Sequence, residues 1–197
     1  MDALMHQSER ETKMKIDIRK LIAADIFAST EQTRFYLNGV LFEVKDGKGQ
    51  FVATDGHRLV ILPLGDMDGP DCSVIIPSSL IKKIKLDRHL DLGEITIEKG
   101  AHYSDIKIDY YGATYGERGI EGTYPDYARI LPADDLEQKG AALIGFNPAY
   151  LGSFEKLNKA LGKKNAYIHL TIYGPDHAVK VTSPDCDYTA IIMPTRT

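Results

Sequence analysis

Asp55 and His57 stand two residues apart, flanked by Thr54 and Arg58, and form a dense group of side chains able to do chemistry. Alternate side chains of a strand share a face, so a carboxylate and an imidazole at this spacing could work as an acid–base pair. Such a pair needs a nucleophile or a metal partner, and the neighbouring residues offer neither. Other catalytic templates are incomplete as well. Gly162-Lys163-Lys164 lacks the upstream glycine of a phosphate loop. The six histidines show neither HxxxH nor HExxH spacing, and no Cys/His group has zinc-ligand spacing. There is no GxSxG, and Ser153 follows glycine inside a predicted helix rather than at a strand-to-helix elbow. The eleven tyrosines are scattered over strand-like runs, where sheet packing accounts for them. The residues predict no catalytic centre, no metal site and no cofactor, so the function is to be sought in binding.

The element that must position Thr54 to Arg58 is Phe51 to Leu64, FVATDGHRLVILPL. It reads as two short strands joined at Asp55-Gly56, because glycine reaches positive φ without a Cβ clash and aspartate caps its own backbone. Val52, Leu59, Ile61 and Leu62 supply apolar surface, and taken alone the stretch is a scaffold hairpin. An apolar fraction of 43% and a charged fraction of 26% are those of a soluble globular protein. No apolar run approaches the roughly 20 residues needed to span a membrane. The polar start, MDALMHQSERETK, has no apolar segment of a secretory signal, so residues 1–13 are expected to be a flexible tail. Cys72 and Cys186 lack CxxC spacing; a reduced, cytoplasmic protein is the default, with a single disulfide left open.

The rest of the chain repeats one pattern. Met14 to Ile16 predicts a strand, Asp17 an N-cap, and IRKLIAADIFAS a helix with Ile18, Leu21, Ile22 and Ile26 near one face. Residues 33–44, TRFYLNGVLFEV, read as a strand whose Asn38-Gly39 is a turn or a bulge. After the turn at 46–49 come the two strands of the hairpin. A second round follows the loop at 65–72: SVIIP as a strand, Ser78-Ser79 capping a helix through LIKKIKL, then EITIEK, DIKIDYY and ATYGERGIEG as strands. GTYPDYARILP closes it in extended form, and residues 133–141 are expected as a linker. In the third round ALIGF is a strand, and Asn147 and Pro148 open a helix. AYIHLTIYG, AVKVTS and DYTAIIMP supply three more strands. The expected fold class is α+β, with three βαβββ units that share a pattern but negligible sequence identity.

Positive charge gathers on the predicted helices. Residues 78–88 hold Lys82, Lys83, Lys85 and Arg88 against Asp87, and residues 148–164 hold Lys156, Lys159, Lys163 and Lys164 against Glu155. Each carries +3, while the whole chain is −4. The net charge argues against wholesale coating by nucleic acid, yet a basic helix layer beneath an acidic sheet exterior could face a phosphate backbone without reading bases.

Four separated stretches, TRFYLNGVLFEV, ATDGHRLV, EGTYPDYARILP and YTAIIMPTRT, resemble the bacterial DNA polymerase III beta subunit, the replicative sliding clamp, in the order the family has them. That resemblance implies βαβββ units paired into domains, strands outside, and basic helices lining a hole of DNA size. It also implies a non-enzymatic processivity factor, whose groove binds short linear motifs of polymerases, the clamp loader and repair proteins. The matching groove positions are Leu37, Thr54, Gly56, His57, Arg58, Leu59, Pro125, Arg129, Ile130, Ile191, Ile192, Met193, Pro194 and Arg196. Ile130, Ile191 and Ile192 are close apolar substitutes, and Thr195 replaces a residue that is usually apolar. Apolar walls with a flexible methionine suit leucine or phenylalanine anchors, and His57, Arg58 and Arg196 could meet a peptide's polar groups.

Residues 14–132 resemble the family's complete middle domain, and residues 142–197 only the second half of its third. The resemblance thus implies a shortened clamp, bacterial or phage-encoded, acting on duplex DNA without sequence preference. A third unit alone leaves an open sheet edge and half a core, so a homodimer or larger assembly is expected, with a ring of two dimers as its extension. The alternative is a ring-less module that captures clamp-binding motifs as an adaptor or decoy. An enzyme acting on DNA ends is the third reading.

Overall fold

The computed structural model describes residues 11–87, 89–100, 103–133 and 144–195. The first round is β1 (Glu11–Asp17), α1 (Ile18–Asp25), a 3-10 segment (Gln32–Leu37), β2 (Gly39–Lys45), β3 (Lys48–Thr54) and β4 (Arg58–Asp66). The second is β5 (Cys72–Pro77), α2 (Ser78–Ile81), β6 (Leu92–Lys99), β7 (Ser104–Tyr110) and β8 (Ala113–Arg118). The third is α3 (Pro148–Ala160), β9 (His169–Thr171), β10 (Val179–Thr182) and β11 (Thr189–Ile192).

The strands form two antiparallel sheets, β1-β6-β7-β8 and β5-β2-β3-β4-β11-β10-β9. The first two rounds exchange their leading strands: β1 pairs with β6 along its whole length, and β5 pairs with β2. The third round is fused to the first by β11 against β4, with Ile191 opposite Leu59 and Ile192 opposite Arg58. The two sheets meet where the Ile120 amide donates to the Ile75 carbonyl at 3.0 Å.

One large core lies between the sheets and the helices. Alternation along β3 and β4 sends Phe51, Ala53, Val60 and Leu62 into it, together with Ile18 and Leu21 of α1 and Phe154 and Leu157 of α3. Phe27 and Phe154 stack obliquely, 5.5 Å between ring centres, and so tie α1 to α3. A smaller apolar cluster occupies the opposite face of the seven-stranded sheet, with Leu41, Val52, Leu59, Ile75 and Ile191 at its centre. Tyr36, Tyr124, Tyr127 and Leu131 pack over it. Among the described residues no helix is long and apolar enough to cross a membrane, and both cysteines are free thiols.

Local signals held where a single side chain decides the backbone. Asp17 caps α1, accepting from the Lys20 amide at 2.9 Å. Asn147 caps α3 by accepting from the Ala149 amide at 2.9 Å, with Pro148 in the first turn. Asp46 and Gly47 take the positive φ of the β2–β3 hairpin.

Several expectations need correction. The flexible tail expected over 1–13 ends earlier, because β1 already pairs at Glu11; residues 1–10 lie outside the described ones. The strand expected over 33–44 begins only at Gly39. A Cβ there would stand 2.4 Å from the Ile76 carbonyl oxygen, so the glycine allows the close approach to β5. Before it the chain coils in a 3-10 segment that buries Leu37.

The second helix is four residues, not the length expected from Ser78 to Arg88. Neither Ser78 nor Ser79 caps it: their hydroxyls donate to Asp25 and Glu117. Beyond it the Tyr110 hydroxyl accepts from the Asp87 amide at 2.8 Å and donates to the Leu90 carbonyl at 2.6 Å, holding that stretch as loop. The third helix stops at Ala160, where Gly162 at φ +84° and the Lys163 amide on the Asn158 carbonyl (2.8 Å) close its end. Of the expected ALIGF strand, Gly145 makes one isolated bridge with Thr195, while Ala142 and Leu143 lie outside the described residues. The 121–132 stretch contains a 3-10 turn at Tyr127–Ile130 rather than being extended throughout. Most of the expected linker, 134–141, lies outside the described residues.

Candidate peptide groove and nucleic-acid face

The bend between β3 and β4 is closed by its own side chains. Asp55 Oδ1 accepts from the His57 and Arg58 amides at 2.9 and 3.0 Å, and Thr54 Oγ1 accepts from the Gly56 amide at 3.0 Å while donating to the Arg58 carbonyl at 2.8 Å. Gly56 sits at φ +90°, a conformation that favours glycine. The other Asp55 oxygen accepts from Arg58 Nε at 2.9 Å. Asp55 is thereby committed to the turn and to an ion pair. The His57 ring instead stacks on Tyr150 of α3, 5.5 Å between centres. The pair therefore lacks acid–base geometry.

Arg58 follows the inward alternation of β4. Its side chain is only 14% exposed, donates through Nη2 to the Ile26 carbonyl at 2.9 Å, and lies over the Phe27 ring at 4.7 Å and the Tyr150 ring at 5.5 Å. It is a clasp between β4, the end of α1 and the start of α3. A guanidinium suits that place, since the carbonyls at a helix C-terminus attract positive charge.

The groove residues divide between the two faces of the seven-stranded sheet. Leu59, its cross-strand neighbours Thr54 and Ile191, and the covering segment 124–131 belong to the outer face. Arg58 and Ile192 belong to the helix side. The Met193 amide donates to the His57 carbonyl at 2.9 Å, and its side chain is 38% exposed beside the joint. Pro125, Arg129 and Ile130 are exposed on the covering segment, Pro194 is half-buried, and Leu37 is buried. Arg196 lies outside the described residues. The strand joint thus gathers Thr54, Leu59, Ile191 and Met193, while the His57 ring turns with Arg58 to Tyr150 on the helix side. It does not bring Arg58 to the same surface as Leu59.

Sequence reasoning did not single out Tyr150, which packs against the main core and stacks on His57, nor Tyr124, Tyr127 and Leu131, which roof the outer cluster. A groove of about 770 Å³ runs between this roof and β2–β3, lined in part by Leu41, Glu43, Gln50, Pro125 and Tyr127. The Tyr127 hydroxyl donates to Glu43 Oε2 at 2.6 Å, and burial followed by that carboxylate pushes the phenol well above its usual range. Unbroken apolar runs in β2, β3 and β4, Val40 to Phe42, Phe51 to Ala53 and Leu59 to Leu62, were the signal for this second apolar face.

On the helix side, the basic residues are exposed. Lys156 and Lys159 lie on the face of α3 opposite Phe154 and Leu157, and Lys163 and Lys164 follow its end. Lys82, Lys83 and Lys85 are exposed beyond α2, and Arg88 lies outside the described residues. Lys83 is paired with Glu117 at 2.9 Å, and Lys159 with Glu155 at 2.5 Å. Between these helices a cleft holds Asp25, whose carboxyl is pushed above its ordinary value by burial, opposed by the Ser78 hydroxyl and Lys82. Among the described residues no three His, Cys, Asp or Glu side chains are close enough to hold a metal ion.

A family model for the DNA polymerase III beta subunit, central domain, matches residues 13–126. The chain is 36% identical over 130 residues to the beta sliding clamp of Escherichia coli (strain K12), covering 64% of this chain and 35% of that protein. It is 34% identical over 191 residues to the beta sliding clamp of Proteus mirabilis, covering 92% of this chain and 52% of that protein. The chain therefore spans between a third and about half the length of these relatives. A crystal structure of a DNA polymerase sliding clamp from Pseudomonas aeruginosa superposes with a TM-score of 0.74 at 23% identity, over 94% of this chain and 66% of that one. At that identity the superposition shows a shared fold.

Proposed function

The chain belongs to the DNA polymerase III beta subunit family, the sliding clamps, and from that membership we propose that it is a non-enzymatic clamp-like protein tethering other proteins to duplex DNA. The observation that carries the reading is the β4–β11 joint. It sets Leu59 beside Ile191 and leaves Met193 exposed next to His57, at the edge of a roofed apolar surface. An extended peptide with two leucine or phenylalanine anchors fits such a surface, since apolar pockets take alternate side chains and the adaptable methionine reshapes around them. Partners are accordingly a DNA polymerase, a clamp loader and other proteins bearing such motifs. They act in the cytoplasm of a bacterium or of a cell carrying a phage.

The lysines of α3 and of the segment after α2 are the contacts to DNA. They carry no sequence information and supply salt-dependent affinity. Three units are too few to surround a duplex, so more than one chain makes up the working assembly.

Titration of a labelled peptide carrying two adjacent apolar anchors tests the reading. Micromolar binding is expected. Met193→Glu, an exposed position that leaves the core intact, should weaken it about tenfold, or about 1.4 kcal/mol. Binding indifferent to Met193→Glu, or no binding at all, would overturn the groove.

A further inference from the structure

We propose that a second copy of this chain docks along the outer edge of β9, each copy supplying the residues ahead of α3 as the strand that the other lacks. The basis is an exchange that the chain performs twice within itself. In the first two rounds the strand before the helix leaves its own round and flanks the first strand after the other helix: β1 lies against β6, and β5 against β2. Ile16 of β1 stands opposite Gly93, and Ile76 of β5 opposite Val40, so each exchange seats apolar residues over the core.

β9 holds in the third round the place that β2 and β6 hold in the others: it is the first strand after the helix. It pairs with β10 through Leu170 opposite Val181, and the sheet ends there among the described residues. The residues ahead of α3, Ile144 to Phe146, hold the place of β1 and β5. Within the chain Gly145 bridges Thr195, whose amide donates to the Gly145 carbonyl at 2.8 Å, and among the described residues β9 pairs with β10 alone.

The edge itself is unguarded. Edge strands in soluble proteins are blunted by lysine, proline or a bulge, and His169-Leu170-Thr171 has none of these. Tyr167 is 74% exposed and Leu170 is 38% exposed beside it. A two-fold axis makes the exchange reciprocal, so one contact closes both edges and leaves no further copy to recruit through them. The occupant is a second copy because the strand that fits is one that every copy carries, placed as the two internal examples place theirs. The proposal is independent of the peptide groove, which lies at β4–β11, on the far side of β10 from this edge.

Sedimentation velocity of the full chain across a concentration series, with hydrogen exchange at its two ends, tests it. Expected are dimers or larger even assemblies, with the amides of His169–Thr171 that point away from β10 gaining protection as concentration rises. Leu170→Lys and Thr171→Pro should each weaken self-association at least about tenfold, with the peptide affinity unchanged. A monomer at tens of micromolar overturns the proposal. So does an assembly whose β9 amides exchange at the same rate at every concentration, which requires no variant to fold. Loss of peptide binding in an intact dimer would count against the groove alone.

Discussion

Arg58, expected on the wall of a peptide groove, is surrounded as a structural clasp. Truncation would strip Asp55 of its ion-pair partner, free the Ile26 carbonyl and remove the contact over Phe27. Arg58→Ala should therefore destabilise the fold by about 2–4 kcal/mol, as losing one partner of a largely buried, hydrogen-bonded pair does. Urea unfolding checks this, and an unchanged midpoint would contradict the clasp. Asp25 gives a pH prediction. Its carboxyl is raised by burial above its value in the unfolded chain. The folded state then holds a proton that the unfolded state has released, and stability falls as pH rises through the interval between the two values. Below that interval the cost is absent, and above it the cost is present in full. Asp25→Asn, which keeps an acceptor for Ser78, should be relatively more stable than the parent near pH 7 than near pH 4. Parallel melting curves at the two pH values would measure that difference, and an equal gap at both would refute the assignment.

The fusion of β11 to β4 and the Phe27–Phe154 contact bind the third round to the first. Phe154→Ala should cost roughly 3–5 kcal/mol, because the vacated space lies in a core shared by α1 and α3. Denaturation of the parent should show one transition by both fluorescence and circular dichroism, since the joint is continuous sheet. The sequence disclosed this architecture unevenly. Elements defined by a capping side chain or a glycine turn, such as α1, α3 and the Asp46-Gly47 hairpin, were legible because their determinants are local. The 3-10 segment before Gly39 was not, since its aromatic residues favour a strand, whereas the Leu37 carbonyl accepts from the Ser29 amide and the Leu37 side chain is buried. The early end of α2 was equally hidden, because its cause is Tyr110, which reaches it from β7. For the site, family motifs named candidate residues but could not divide them between the sheet faces. That division depends on the register of β4 against β11, which only the folded chain fixes.

Across the whole molecule, the proposed function puts DNA against the lysines flanking the helices and a peptide at the apolar joint on the outer sheet face, on opposite sides. Replacing Lys156 and Lys163 together with glutamate should weaken duplex binding equally for unrelated sequences. If each contacts one phosphate, the slope of log K against log salt becomes shallower by about 1.8, at about 0.9 per phosphate. Fluorescence anisotropy at several salt concentrations would measure it, and an unchanged slope would remove these two residues from the DNA face. A ring of two dimers is the assembly expected as the extension of such a dimer. Such a ring should stay on nicked circular DNA through gel filtration and leave once the circle is cut. The most direct test of the account is where a peptide lands. With the protein isotopically labelled and its methyl groups observed by NMR, addition of the two-anchor peptide should shift Leu59, Ile191, Met193 and Leu131 while leaving Leu157 of the helix side unmoved. Shifts confined to the helix side, with Leu59 and Ile191 silent, would contradict it.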